Sequence, residues 1–306
     1  MEIAFIANPT AGRGRARSFV TNFERRAKDL DSDIEVMWTT HAGHATELAR
    51  AAASRCDVIC VSGGDGTVHE VVNGLMPDPV PMVVVPSGSG NDFASLFGCP
   101  TTADELYRTI ADGVGARVDV IDCGFRYCAN SIGMGFEALV TQKSLSIGWM
   151  RGLPLYLNAT MRALWSYDCP NMTIRLDGAD TLTGNRLLVS VGNGVRAGGG
   201  FYLTPDAWPD DGLIDICAVE ALGRMQILRL LPTAINGGHT GKPSVSMRRA
   251  RSVEVSADRP FHMHIDGEYI GERTESLHFG ILDRVLPVLC MKDRPARTSR
   301  PLEKIL

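Results

Sequence analysis

Gly63-Gly64-Asp65-Gly66-Thr67 is the densest chemistry-bearing pattern in the chain. It follows a short apolar run, Val58 to Val61, and precedes Val68, Val71, Val72 and Leu75 at helical spacing. That order predicts a buried strand, a tight turn and a helix. Glycines at 63, 64 and 66 let the backbone take positive φ and approach a ligand closely. A turn that feeds a helix N-terminus presents unpaired N–H groups and a positive dipole end, which suits a phosphate. Asp65 would repel that phosphate by itself. A metal between the two, the orientation of nearby donors, or acceptance of a proton would each give the carboxylate a use.

Two further loops share this texture. Asn8-Pro9-Thr10-Ala11-Gly12-Arg13-Gly14-Arg15 follows the apolar run Ile3 to Ala7, and no Gly-Lys-Ser/Thr makes it a Walker loop. Arg13 and Arg15 add charge to a ligand or to a solvated helix start. Pro86-Ser87-Gly88-Ser89-Gly90-Asn91-Asp92-Phe93 follows Met82 to Val85. All three fall where strands end, the edge at which open α/β sheets bind ligands, so one site explains them better than three unrelated turns. Far downstream, Asp266-Gly267-Glu268 brings two carboxylates together at a strand end. On its residues alone it reads first as a hairpin turn. His262 and His264 share a strand face but have no third ligand at a recognisable spacing, so a metal pair is not expected there. His41 and His44 read as a helix start.

The elements that must position these groups change character along the chain. Strands and helices alternate over residues 1 to 122: strands at Ile3–Ala7, Ile34–Trp38, Val58–Val61, Met82–Val85 and Ala116–Ile121, with helices over 15–30, 44–53, 68–75 and 102–112. Such alternation predicts a parallel sheet with crossover helices. After Cys123 short strands and Asp-Gly turns dominate, which predicts a β-rich second domain. Its strands are read at 125–130, 172–176, 185–191, 213–219, 245–247, 253–255 and 261–265. An apolar insert over 138–167 reads as core helix, with an acceptor pocket or a membrane-facing lid as the other reading.

Composition narrows the function classes. Lys+Arg 31 against Asp+Glu 35 leaves a net charge of −4, so no basic field points to nucleic acid. The eight cysteines form no CxxC, which favours a reducing, cytoplasmic setting. No run of about 18 apolar residues exists to span a bilayer. A membrane substrate would be reached from the surface.

In this order and spacing the three loops resemble the diacylglycerol kinase catalytic family, which includes soluble bacterial lipid kinases and sphingosine and ceramide kinases. Asn8 to Gly14, Gly63 to Thr67 with Glu70 and Asn73-Gly74, and Ser87 to Phe93 carry the likeness. The second half adds Asn130 with Gly133 and Gly135, Val191-Gly192-Asn193-Gly194, Gly198-Gly199-Gly200, Pro205-Asp206-Ala207, Asp210-Asp211-Gly212-Leu213 and Asp266-Gly267-Glu268. The resemblance implies an α/β nucleotide-binding domain with a parallel sheet, phosphofructokinase- and NAD-kinase-like, plus a β-sandwich second domain. It divides the chain into an ATP-binding part, 1–122 with a C-terminal return over 285–306, and a lipid-acceptor part, 123–284. It places the site in the cleft between the two.

By the same resemblance ATP contacts come from Asn8, Pro9, Thr10, Ala11, Gly12, Thr40, Gly63, Gly64, Asp65, Gly66, Thr67, Glu70, Ser89, Gly90, Asn91 and Asp92. Ser89 stands where the family usually has Thr and keeps a hydroxyl. The general base is Asp266 or Glu268, with Asp65 as competitor. Asp211 resembles a structural Mg²⁺ ligand, with main-chain oxygens from Trp208 and Leu213. The expected function is ATP- and Mg²⁺-dependent phosphorylation of a lipid hydroxyl, most simply diacylglycerol giving phosphatidic acid, at the inner face of the membrane. A homodimer is left open. The alternatives are an NAD-kinase-like small-molecule kinase and a non-catalytic lipid- or nucleotide-binding protein. A dinucleotide oxidoreductase is weakened by the absence of GxGxxG after the first strand.

Overall fold

The fully apolar runs become the middle of a parallel sheet. The computed structural model describes residues 1–26, 33–147, 150, 152–273 and 276–306. The expected end of the first helix, 27–30, and Trp149 of the apolar insert lie outside the described residues. The chain forms two compact units: Met1–Val120, Pro209–Asp211 and Asp283–Leu306 make the first, Ile121–Trp208 and Gly212–Leu282 the second.

In the first unit, β1 (Glu2–Ala7), β2 (Asp33–Trp38), β3 (Val58–Gly63) and β4 (Met82–Pro86) lie in the order β4-β3-β1-β2, every neighbour parallel. β3 is buried along its whole length, whereas β2, at the edge, alternates between half-buried and exposed before Met37. This is the reason one reads as continuous apolar sequence and the other as an alternation. Helices α1 (Arg15–Arg26), α2 (His44–Ala53), α3 (Asp65–Leu75) and α4 (Ala103–Asp112) follow the successive strands. Phe5, Phe23, Val58, Val83, Leu106 and Ile110 share one core. α4 starts on a capping box, with the Thr102 side chain accepting from the Glu105 N–H at 3.2 Å and the Glu105 carboxylate accepting from the Thr102 N–H at 3.2 Å. It stops at Gly113, whose φ is 55°. β5 (Val114–Asp122) follows.

The second unit contains β6 (Tyr127–Cys128), β7 (Ser131–Gly135), α5 (Phe136–Leu145), α6 (Gly152–Ala163), β8 (Asn171–Leu176), β9 (Asp180–Gly192), β10 (Ile214–Glu220), α7 (Arg224–Ala234), β11 (Val245–Ala250), β12 (Ser252–Ala257), β13 (Phe261–Ile265) and β14 (Glu268–Arg273). β15 (Leu277–Leu289) begins in it and runs on into the first unit. One antiparallel sheet runs β14-β13-β7-β9-β10-β11. A second runs β9-β8-β12-β15, so the long β9 serves both. Ile132, Val189 and Ile216 from one sheet pack with Ile174, Val253 and Phe279 from the other. The opposite face of the first sheet buries Leu187, Cys217 and Val219 under α5, α6 and α7. β10 is covered on both faces, hence its apolar run from Ile216 to Val219. The C-terminal segment pairs Val288 with Met82 of β4, in parallel, and β16 (Glu303–Lys304) with β5.

Three local expectations shift. The strand expected over 125–130 shrinks to β6, and the ladder forms at Ser131–Gly135, because the N–H groups of Ala129, Asn130 and Ser131 turn to the Asp266 carboxylate. The apolar insert splits into α5 and α6. β14 and α7 were not legible: β14 carries three charges and a glycine in six residues, and α7 contains Pro232.

All eight cysteines are free, and only Cys56 and Cys169 are not fully buried. Burial pushes the Cys99 and Cys217 thiols up to about 12 and Cys290 up to about 11. In the native protein a thiol reagent is therefore expected to label Cys56 and Cys169 at least about 100-fold faster than the other six. Mass-spectrometric mapping of the labelled sites, with denatured protein as the reference, checks this.

Candidate active site

The loops after β1, β3 and β4 leave neighbouring strand ends and are tied together. Asn8 folds its own loop: its Oδ1 accepts from the Thr10 N–H at 3.0 Å and from the Thr10 hydroxyl at 2.8 Å. Its amide then donates to Thr67 Oγ1 at 3.5 Å, in the first turn of α3. Pro9 and Ala11 are half-buried in this loop, and Gly12 takes a φ of 59°. Gly64 caps α3 and Asp65 opens it. The Asp65 carboxylate accepts from the Phe93 N–H at 3.2 Å and so clamps the third loop. Gly64 and Gly88 touch backbone to backbone, and a Cβ on Gly88 would lie 2.4 Å from the Gly64 Cα. A Cβ on Gly63 would lie 2.4 Å from Thr67. No side chain fits between these loops, which leaves their amides and hydroxyls to face a ligand.

The third loop is built by Asn91. Its Oδ1 accepts from the Gly88 N–H at 2.9 Å and its amide donates to the Gly88 carbonyl at 3.1 Å, with Asn91 itself at φ 54°. Ser89 is exposed on this loop, Gly90 is half-buried, and Asp92 is buried. Glu70 lies one turn into α3 and grips α2: its carboxylate accepts from the Gly43 N–H at 2.7 Å and the Ala45 N–H at 3.0 Å. In this structure it is a positioning residue for the segment carrying Thr40. Thr40 lies exposed beside the stacked rings of His41 and His44, whose Nδ1 atoms lie 2.9 and 3.1 Å from its hydroxyl. These contacts tie Asn8, Gly64, Asp65, Thr67, Gly88 and Asn91 together, while Glu70 reaches from α3 to the start of α2, just after Thr40.

In the second unit, Asp266-Gly267 is the two-residue loop between β13 and β14, with Ile265 paired to Glu268. Their φ values, 50° and 84°, are those of a type I′ hairpin turn. The two carboxylates have different surroundings. Asp266 is buried and accepts from three backbone amides, Ala129, Asn130 and Ser131, at 2.9–3.1 Å, and from the Cys128 thiol at 3.1 Å. Burial first, and then the charge of Asp266, push that thiol well above its ordinary pKa. Glu268 is exposed at the start of β14. Asp266 is occupied in holding the turn, whereas Glu268 is presented by it.

Around the turn lie residues whose roles were not evident from their types. Asn193 donates from its amide to the Ala129 carbonyl at 3.0 Å, and Asn130 accepts from the Asn193 and Gly194 N–H groups at 2.9 Å. His264 accepts the Gly267 N–H on Nδ1 at 3.3 Å, which places its proton on Nε2, 3.1 Å from Glu137 Oε1. Gly133 makes room for this pair, since a Cβ there would lie 2.1 Å from His264 Nε2. Glu137 Oε2 is buried with no hydrogen-bond partner among the described residues. It borders a cavity of about 800 Å³, open mouth included, between α5, α6, α7 and the sheet. Phe136, Val140, Tyr156, Leu188, Phe201 and Leu231 make its wall apolar, while Glu137, His239, His264 and Gly267 supply a polar end. His262 lies with its Nδ1 2.8 Å from the Tyr269 hydroxyl, on the neighbouring strand β14, where Ile270 forms a β-bulge opposite Met263 and His264. Phe261, Met263 and Ile265 face the core, so His262 and His264 share the opposite face of β13, each with its own partner.

A profile of the diacylglycerol kinase catalytic domain matches residues 2–123, and one of the YegS C-terminal NAD kinase beta sandwich-like domain matches residues 130–290. A diacylglycerol kinase of Bacillus subtilis is 30% identical over 273 residues, 87% of this chain and 89% of that protein. The chain belongs to the diacylglycerol kinase catalytic family.

A diacylglycerol kinase of Mycobacterium tuberculosis is 29% identical over 277 residues, covering 88% of this chain and 89% of the relative. A Bacillus anthracis structure described as that of a diacylglycerol kinase superposes with a TM-score of 0.74 at 25% identity, over 95% of this chain and 97% of the other. As a member of this family the chain is a kinase, a phosphotransferase with an alcohol acceptor. Asn130 donates its N–H to the Asp266 carboxylate, and Asn193 ties down the carbonyl of the neighbouring Ala129. Among the described residues no helix is long and apolar enough to cross a membrane. No group of three His, Cys, Asp or Glu side chains stands ready for a metal among the described residues. Asp211 is half-buried in the turn before Gly212, whose φ is 74°. One carboxylate with main-chain oxygens is a hard-oxygen donor set that suits Mg²⁺, which retains several waters.

Proposed function

We propose that the protein transfers the γ-phosphoryl group of ATP to the hydroxyl of a lipid alcohol, with diacylglycerol as the first candidate acceptor. The observation that carries this reading is the cavity beside the acidic turn. Its wall is apolar and its one charged end adjoins Gly267, which fits an amphiphile with a hydroxyl headgroup and acyl chains. A dinucleotide would leave its ribose and phosphate groups unpaired against such a wall. An NAD-kinase-like acceptor is therefore disfavoured.

The loops at Asn8–Gly12, Gly63–Thr67 and Ser89–Asp92 would hold the triphosphate through amides and the hydroxyls of Thr67 and Ser89. Asp65 is the residue that would hold a Mg²⁺ ion beside the phosphates, where the metal would neutralise their charge. Asp211, with the carbonyls of Trp208 and Leu213, would hold a separate, structural Mg²⁺. Glu268 is the assigned base. Its carboxylate takes the proton of the lipid hydroxyl as the new P–O bond forms, and the bond from the γ-phosphorus to its bridging oxygen breaks, releasing ADP. Asp266 holds the turn that presents Glu268.

Incubation of the protein with γ-labelled ATP, Mg²⁺ and either dioctanoylglycerol or NAD tests the reading. Label is expected in phosphatidic acid and not in NADP. Label in NADP alone would refute the lipid acceptor, and label in neither, across a panel of lipid alcohols, would support a non-catalytic role.

A further inference from the structure

β7 ends at Gly135, with a φ of 80°, and the chain passes at once into α5, which packs back on β13. That return lays Glu137, in the first turn of α5, over His264 of β13, whose strand partner is Gly133. Gly133 leaves the space they need: a Cβ on it would lie 2.1 Å from His264 Nε2 and 2.6 Å from Glu137 Cδ. Both side chains are withdrawn from solvent, Glu137 at 11% exposure and His264 at 3%.

The pair reaches the acidic turn. His264 Nδ1 receives the Gly267 N–H, so its proton stands on Nε2 and is directed to Glu137 Oε1. The turn is thereby held at two successive residues. Asp266 is fixed by the amides of Ala129, Asn130 and Ser131, and Gly267 by the imidazole that Glu137 aims. The first hold ends on backbone, whereas the second ends on a side chain that borders the apolar cavity.

Glu137 has a second oxygen to satisfy. Oε2 is buried and has no hydrogen-bond partner among the described residues. Neighbours on the same wall direct their protons elsewhere: Thr141 and Thr160 donate to the carbonyls of Glu137 and Tyr156, and His239 Nε2 to that of Leu203. A carboxylate oxygen beside an apolar wall is destabilised until a donor reaches it. A ligand with an apolar body and a hydroxyl head supplies that donor, and a plain hydrocarbon does not.

We propose that Glu137 is a positioning residue with two tasks: through His264 it sets the acidic turn, and its Oε2 accepts a hydrogen bond from the hydroxyl-bearing head of the cavity's occupant. One side chain then links the filling of the cavity to the setting of the turn. That the occupant is the phosphoryl acceptor rests on the lipid-kinase reading; the hold on the turn does not.

Glu137→Gln separates the two tasks. Its amide oxygen still accepts the proton of His264 Nε2, which leaves an NH₂ in place of Oε2. With dioctanoylglycerol as acceptor, KM should rise at least about fivefold while kcat stays within about threefold of wild type. Glu137→Leu removes both tasks, and kcat should fall about 10- to 100-fold, the cost of a misplaced reacting group. Amide exchange over residues 265–268, read by mass spectrometry, should quicken at least about tenfold in Glu137→Leu and match wild type in Glu137→Gln. Unchanged exchange in β1 and β3 shows that a variant is folded, and Glu137→Ala replaces Glu137→Leu if the larger side chain does not fit. The proposal is overturned if the folded apolar variant keeps wild-type exchange at the turn, or if Glu137→Gln leaves KM unchanged. Exchange that depends on Glu137, in a protein that phosphorylates no lipid, would uphold the hold on the turn and sink the kinase reading instead.

Discussion

Glu268→Gln is expected to fold normally and to lose about 10²- to 10⁴-fold in turnover, the range for removing a positioned general base. Glu268 is exposed at the start of β14, so the amide leaves no buried group without a partner. ATP affinity, measured by calorimetry, should stay within about twofold, because the residue lies outside the phosphate loops. Asp266→Asn should fail differently. Its carboxylate receives three backbone amides and a thiol, and an amide nitrogen in place of one oxygen would oppose at least one of those donors. A loss of about 2–4 kcal/mol of stability follows from uncoupling a buried, hydrogen-bonded charge. Chemical denaturation of both variants beside steady-state rates separates the two roles. A stable but inactive Asp266→Asn, paired with a fully active Glu268→Gln, would reverse the assignment.

The second large effect is expected at Gly88. A Cβ there would lie 2.4 Å from the Gly64 Cα, a backbone atom that cannot move aside without displacing the first turn of α3. The nearby Asn91 Oδ1, 2.9 Å from the same Cβ, would be pushed as well, and with it the bond that shapes the third loop. Gly88→Ala should therefore cost about 1–3 kcal/mol of stability through overpacking. It should also weaken ATP binding at least about tenfold, since a cradle of amides loses its fit when the loops part. Gly267→Ala is the control. Its φ of 84° strains an alanine, but nothing lies within 4 Å of the added Cβ, so about 1 kcal/mol and unchanged ATP affinity are expected. Equal nucleotide affinity in Gly88→Ala and wild type, by titration calorimetry, would show that the close approach of the two glycines does not shape the phosphate site.

Much of the molecule could be read from residue types. Alternation of apolar runs with helical spacing identified the parallel sheet, because central parallel strands are buried on both faces and must be continuously apolar. The same logic located the three loops, since glycine and asparagine mark the positions where left-handed or closely packed backbone is needed. The apolar insert at 138–167 was legible as buried helix but not as two helices with an exposed outer stripe. Periodicity tells which residues share a face, not whether protein or solvent covers it.

Asp266 and Glu268 show the limit best. In the sequence they are equivalent, two carboxylates either side of a glycine, and a hairpin turn is all that local chemistry dictates. Only tertiary structure makes them different, by bringing the amides of residues 129–131, from a distant strand junction, onto one of them and leaving the other in solvent. Glu137 and His264 likewise lie 127 residues apart, and no spacing rule links them. The chain by itself determined which segments are strands, turns and helix starts, because those follow from short-range backbone preference and burial pattern. Which carboxylate is buried against backbone amides, which is exposed, and which apolar wall lies beside the turn depend on long-range packing and were decided only in the folded protein.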